Sequence, residues 1–204
     1  MKKTFLFMIA AILTLGTSLT SCSKDNDDDA NNKAQVGIYY YVKVSDDVLK
    51  VADVEINFMD ITGAKKKEVL TSTKWKKELR GGNMPITQGV WAKLTPKNGI
   101  AEDEYQLNLL TLTAYETYKG TQTLKNNGIF VETKKNANNT EDVSTFCQAS
   151  PSMGFELDAE GKDNKVEIDF GGNAFSLGSL NRFSNNLRWW WENNMSFSEW
   201  VDKN

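Results

Sequence analysis

Three stretches of the sequence alternate apolar and polar residues strictly enough to exclude a helix over the same span. In 35–44, Val36, Ile38, Tyr40, Val42 and Val44 share one parity, and Tyr39, Tyr41 and Lys43 share the other. In 51–60, Ala52, Val54, Ile56 and Phe58 alternate with Asp53, Glu55 and Asn57. In 105–113, Tyr105, Leu107, Leu109, Thr111 and Thr113 alternate with Gln106, Asn108, Leu110 and Leu112. A repeat of two places each set on one face of a strand, whereas a helix would scatter both sets around its axis. The first two predict half-buried strands. The third is apolar at both parities from Leu109 to Leu112, which predicts a central strand.

Turn chemistry separates these strands and predicts several more. Ser45-Asp46-Asp47 and Thr62-Gly63 mark turns. Residues 66–79 form one segment of period two, with Val69, Thr71, Thr73 and Trp75 against Lys74, Lys76 and Glu78. Its lysines 65–67 suit a charged sheet edge, which discourages edge-to-edge pairing. Gly81-Gly82-Asn83 predicts a break, and 90–94 a short strand ended by Pro96 and Asn98-Gly99. A strand is expected at 129–133, and the polar, asparagine-rich stretch 134–142 predicts a loop. Residues 153–158 and 165–170 alternate around a glycine-bearing connection, which predicts a hairpin. After Gly171-Gly172 the period changes. Leu180, Phe183, Leu187, Trp190 and Trp191 recur at steps of three and four, so a helix is expected there, ended by Asn193-Asn194. The capping-box spacing of Ser196 and Glu199 predicts a last short turn carrying Trp200. The expected fold is all-β: an immunoglobulin-like antiparallel β-sandwich with a C-terminal helix, spanning 35–204.

The front of the chain carries a different signal. Met1-Lys2-Lys3 is followed by an apolar run at 5–15, shorter than the roughly 20 apolar residues a membrane-spanning helix needs. The run leads to Leu19-Thr20-Ser21-Cys22, which resembles the lipobox of bacterial lipoproteins. That resemblance implies that 1–21 is a signal peptide, that the Cys22 thiol takes a diacylglycerol, and that Cys22 becomes the N-terminus. The alternative is a plain signal peptide with an incidental cysteine. The acidic block at 23–29 resembles the export tag of Bacteroidetes surface lipoproteins. A calcium loop counted from Asp25 fails, lacking glycine at the sixth place and glutamate at the twelfth. Residues 22–34 are therefore expected to be a lipidated cysteine and a solvated tether, holding the protein to the outer membrane at the cell surface.

Composition narrows the chemistry. The chain has no histidine, which excludes Ser-His-Asp and Cys-His catalysis and histidine-ligated metals. Removing Lys2 and Lys3 leaves 22 basic against 27 acidic residues, a balance of −5, with no basic majority to bind nucleic acid. With Cys22 lipidated, Cys147 has no disulfide partner within the chain and is expected to be a small buried apolar residue. No cofactor and no metal are expected.

Two constellations remain. Pairing Asp158 with Lys165 would set Glu156 opposite Glu167, with Asp169 on the same face. Three readings follow: a solvated acidic face, a calcium site, or a carboxylate pair for glycoside hydrolysis. Trp189, Trp190 and Trp191 are consecutive, and Trp200 follows. Three consecutive helical residues sweep about 200°, so at least one ring is expected outward, and Trp189 lies furthest from the apolar stripe. The rings either cap the sandwich or form an aromatic platform for a glycan or a surface-protein partner. Residues 52–56, Trp75-Lys76-Lys77, Pro85 and 92–95 look similar to small immunoglobulin-like lipoproteins of Bacteroidetes. That likeness implies a cell-surface β-sandwich and brings no catalytic residues. The expected role is a binding or structural module and not an enzyme. The alternative is a glycan-binding accessory protein or weak carboxylate-based glycoside hydrolase.

Overall fold

The computed structural model describes residues 33–170. Cys22, the helix expected at 180–191, and Trp189, Trp190, Trp191 and Trp200 lie outside the described residues. The order of elements is β1 (Gln35–Val44), α1 (Asp46–Val51), β2 (Ala52–Met59), β3 (Lys65–Val69), β4 (Lys74–Asn83), β5 (Ile86–Pro96), β6 (Tyr105–Lys119), β7 (Gln122–Ala137), α2 (Thr140–Gln148), β8 (Ser152–Leu157) and β9 (Asp163–Val166). The strands form two antiparallel sheets, ordered β4-β1-β6-β7 and β3-β2-β5-β8-β9.

The inward parities of β1 and β2 meet between the sheets as expected. Ile38, Tyr40 and Val42 of β1 share one core with Val54, Ile56 and Phe58 of β2. Phe155 of β8 and Tyr115 of β6 meet across this core, ring edge to face, with centroids 5.1 Å apart. Tyr40 adds a polar bridge: its hydroxyl donates to the Met59 carbonyl (2.9 Å) and accepts from the Gly89 N–H (3.0 Å). Burial without these partners would cost that hydroxyl its hydration. Both helices pack onto this core, with Val48 and Val51 of α1 and Val143, Phe146 and Cys147 of α2 joining it.

Several expectations are corrected. The turn at Ser45-Asp46-Asp47 is the start of α1. The Ser45 hydroxyl is engaged by β6, donating to the Gln106 carbonyl (2.8 Å) and accepting from the Asn108 N–H (3.1 Å). Asp46 and Asp47 then occupy the first helical turn, where negative charge is favourable. Residues 66–79 form two strands in different sheets, and the chain crosses between them at buried Leu70. Gly81-Gly82-Asn83 is the last part of β4 and not a break after it; the glycines accompany a bulge opposite Val36 and Ile38, where Gly81 takes a φ of 87°, and the strand ends at Asn83. Residues 134–142 are no loop. β7 continues to Ala137, paired with Tyr105, and Asn139 then caps α2 by accepting the Asp142 N–H at 2.9 Å. Tyr39 and Tyr41 were expected on a solvent face, yet they are 3% and 0% exposed.

A carboxylate ties an edge strand of one sheet to an edge strand of the other on each side. On one side Glu68 of β3 accepts from Lys77 Nζ (2.5 Å) and Trp75 Nε1 (2.7 Å) of β4. Lys77 and Trp75 together hold the Glu68 carboxyl below its usual range. On the other side Asp163 of β9 bonds Lys125 Nζ and, at 2.7 Å, Asn127 Nδ2 of β7. Burial pushes the Asp163 carboxyl up, but the bonds from Lys125 and Asn127 outweigh it and leave it lowered. A lowered folded pKa gives stability that is complete above the unfolded value, about 3.9, and is lost as pH falls through the folded value. Asp163→Asn should therefore cost about 1 kcal/mol at pH 7, a charge-assisted bond discounted for the exposure of Lys125. The gap in melting temperature between the two proteins should hold from pH 7 to about pH 5 and narrow only as the pH falls below about 4 toward the lowered folded value. An unchanged gap would show that the carboxylate does not clasp the edge.

Candidate functional site

The β8–β9 hairpin turns more tightly than its alternation suggests. Asp158 Oδ1 accepts the N–H groups of Glu160 (3.1 Å) and Lys162 (2.8 Å). The Gly161 N–H closes the turn on the Asp158 carbonyl at 3.0 Å, with Gly161 at a φ of 75°. A left-handed residue at this place is the usual companion of a type I hairpin turn, and glycine takes it without steric cost. The turn sets the register: Leu157 faces Asp163, Glu156 faces Asn164, and Gly154 faces Val166. The expected pairing of Glu156 with Glu167 does not occur.

β9 also ends early. The strand stops at Val166, and Ile168 folds back over the outer face of the five-stranded sheet. There it seats against Gly89 and Gly154, which face each other across β5 and β8. The Ser152 hydroxyl holds the Ile168 carbonyl, and Lys65 Nζ holds that of Asp169. Glu167 and Asp169 therefore leave the hairpin, and the three carboxylates do not share a strand pair. Among the described residues no group of three or more Cys, Asp or Glu is placed to hold a metal ion.

What the hairpin does form is a shallow depression of about 370 Å³, lined by Pro85, Ile86, Thr87, Glu156, Leu157, Asp158 and Asn164. Thr87 and Glu156 are direct neighbours across β5 and β8. The opening thus offers a hydroxyl, two carboxylates and an amide beside apolar Ile86 and Leu157. Such a lining can exchange hydrogen bonds with a polyhydroxylated ligand. Of its polar residues only Glu156 and Asp158 were singled out from sequence. Thr87 and Asn164 arrive through strand register, which alternation does not encode.

A second polar group lies at one end of the outer face of the four-stranded sheet. Glu116, 8% exposed, accepts from the Tyr39 hydroxyl (2.5 Å), Arg80 Nη2 (2.8 Å) and Thr123 Oγ1 (3.3 Å). The Arg80 guanidinium also bonds Glu78 through Nε at 2.8 Å and lies over the rings of Tyr39 and Tyr118. Burial, reinforced by Glu116, holds the Tyr39 hydroxyl far above its ordinary range, so it stays a donor. Each charge here is engaged by its neighbours, and the group acts as a structural network. Cys147 is buried, and burial pushes its thiol up to about 11. At neutral pH it is a protonated apolar filler, as expected, and no nucleophile. No family model matches the chain, and neither a curated protein nor a solved structure resembles it significantly.

Proposed function

We propose that this chain is a cell-surface lipoprotein, held to the outer membrane through a lipid on Cys22, whose two-sheet domain acts as a binding or structural module. The observation that carries this reading is Leu19-Thr20-Ser21-Cys22 at the end of an apolar run too short to span. The start of β1 at Gln35 supports it, since a tether of 22–34 separates lipid from domain. Fully extended, a dozen residues reach about 40 Å, enough to lift the domain clear of headgroups. The immunoglobulin-like description and the helix at 180–191 belong to the same proposal. Two facing antiparallel sheets support the first, and the three-four spacing of Leu180, Phe183, Leu187 and Trp190 supports the second.

The test is labelling of intact cells with a membrane-impermeant amine reagent. The wild type should be labelled. A variant with Asp25, Asp27, Asp28 and Asp29 replaced by alanine should keep its lipid and lose most of that label. Equal labelling of the two would remove the export role of the acidic block.

The depression at Thr87, Glu156, Asp158 and Asn164 favours one second reading, a glycan-binding accessory protein, which a glycan array probed with residues 35–204 tests directly. Its hydrolase variant loses the carboxylate pair it rested on, because Glu156 faces Asn164 and not Glu167.

A further inference from the structure

Besides Met59 and Ile168, five buried apolar residues stand apart from the core between the sheets: Tyr39, Tyr41, Leu112, Ala114 and Phe130. Strand register places them together on the outer face of the four-stranded sheet. Tyr41 faces Leu112, Leu112 faces Phe130, and Tyr39 faces Ala114. Tyr41, Leu112 and Ala114 are each 0% exposed. No described element lies over them, since the buried residues of both helices point into the core on the opposite side of this sheet. Nothing among the described residues accounts for their burial.

We propose that the C-terminal stretch 171–204 docks on this face through its apolar stripe of Leu180, Phe183, Leu187 and Trp190 or Trp191. Once 1–21 is removed, the other outlying stretch is 22–32, which is polar and acidic apart from Cys22 and Ala30, and cannot cover an apolar sheet. The choice of occupant therefore rests on the processing at Cys22 proposed above. The stretch can reach. It leaves the described fold at Phe170, beside Lys65 of β3, and the nine residues 171–179 span up to about 30 Å when extended. Two packed sheets are only about 10 Å apart, so that linker can round the edge of the sandwich.

The test is photo-crosslinking of the full-length, membrane-bound protein with p-benzoylphenylalanine in place of Lys76, an exposed position on the outer side of β4. Tryptic mapping should find most cross-links within the same chain, in the peptides that begin at Phe183 and Trp189. The same probe at Lys93, on the outer side of the other sheet, should give none with those peptides. Cross-links from position 76 to a second copy, to 22–32, or to nothing would overturn the proposal. Cross-links to 1–21 would instead show that the processing reading has failed.

Discussion

Gly154→Ala should lower stability by about 3 kcal/mol or more, and the melting temperature by about 10 °C. Gly154 and Gly89 face each other on two central strands, and a methyl group at 154 would lie 2.0 Å from the Gln88 carbonyl oxygen and 2.9 Å from the Gly89 Cα. Real Cβ atoms do not approach backbone so closely, so the strands must part. The surroundings resist that movement. The Gly89 N–H is held by the Tyr40 hydroxyl, and the Gln88 side chain accepts from Thr113 Oγ1 at 2.6 Å. The added methyl would also press on Ile168 Cγ1 at 2.9 Å and lift the chain that crosses this face. Thermal unfolding measures the loss. A change within about 0.5 kcal/mol, typical of neutral surface substitutions, would show that the glycine pair is not a close approach.

Phe155→Ala is expected to cost about 3–5 kcal/mol. The ring is 0% exposed and joins the two sheets through Tyr115. Its removal takes away both the transfer energy of the ring and its dispersion contacts, and the facing sheets cannot collapse into the gap. Phe155→Leu keeps most of the volume and should cost far less. Urea unfolding separates the cases through the midpoint, with the slope unchanged if the same surface is exposed. Equal midpoints for Phe155→Ala and wild type would contradict the packing described.

The all-β class and the inward faces of β1 and β2 were legible because a repeat of two is local and survives without tertiary context. Sheet membership was not. Residues 66–79 keep a regular alternation, but nothing in it shows that the chain leaves one sheet and enters the other at Leu70. Register was also hidden. Alternation gives parity, and the hairpin pairing depended on Asp158 capping a turn that ends in a left-handed Gly161. That Asp-x-x-Gly signal was present and would have separated Glu156 from Glu167. Helix α2 was likewise signalled, by Asn139 and Asp142 as a cap and by Val143, Phe146 and Cys147 at helical spacing. The surrounding asparagines and lysines masked it. The burial of Tyr39 and Tyr41 was not readable locally, because a tyrosine at an outward position looks the same whether or not another part of the chain covers it. The clasps at Glu68 and Asp163 join β3 to β4 and β9 to β7, across the sheets, so no spacing rule marks them.

The proposed lipid on Cys22 is open to a direct measurement. Cells fed an alkyne fatty acid should incorporate the label into the wild-type protein, and the purified mature chain should begin at a diacylated Cys22. Cys22→Ala should abolish the label and free the protein from the membrane or leave it as the uncleaved precursor. A wild-type level of label in Cys22→Ala, or a mature N-terminus elsewhere, would contradict the anchor and the surface placement built on it.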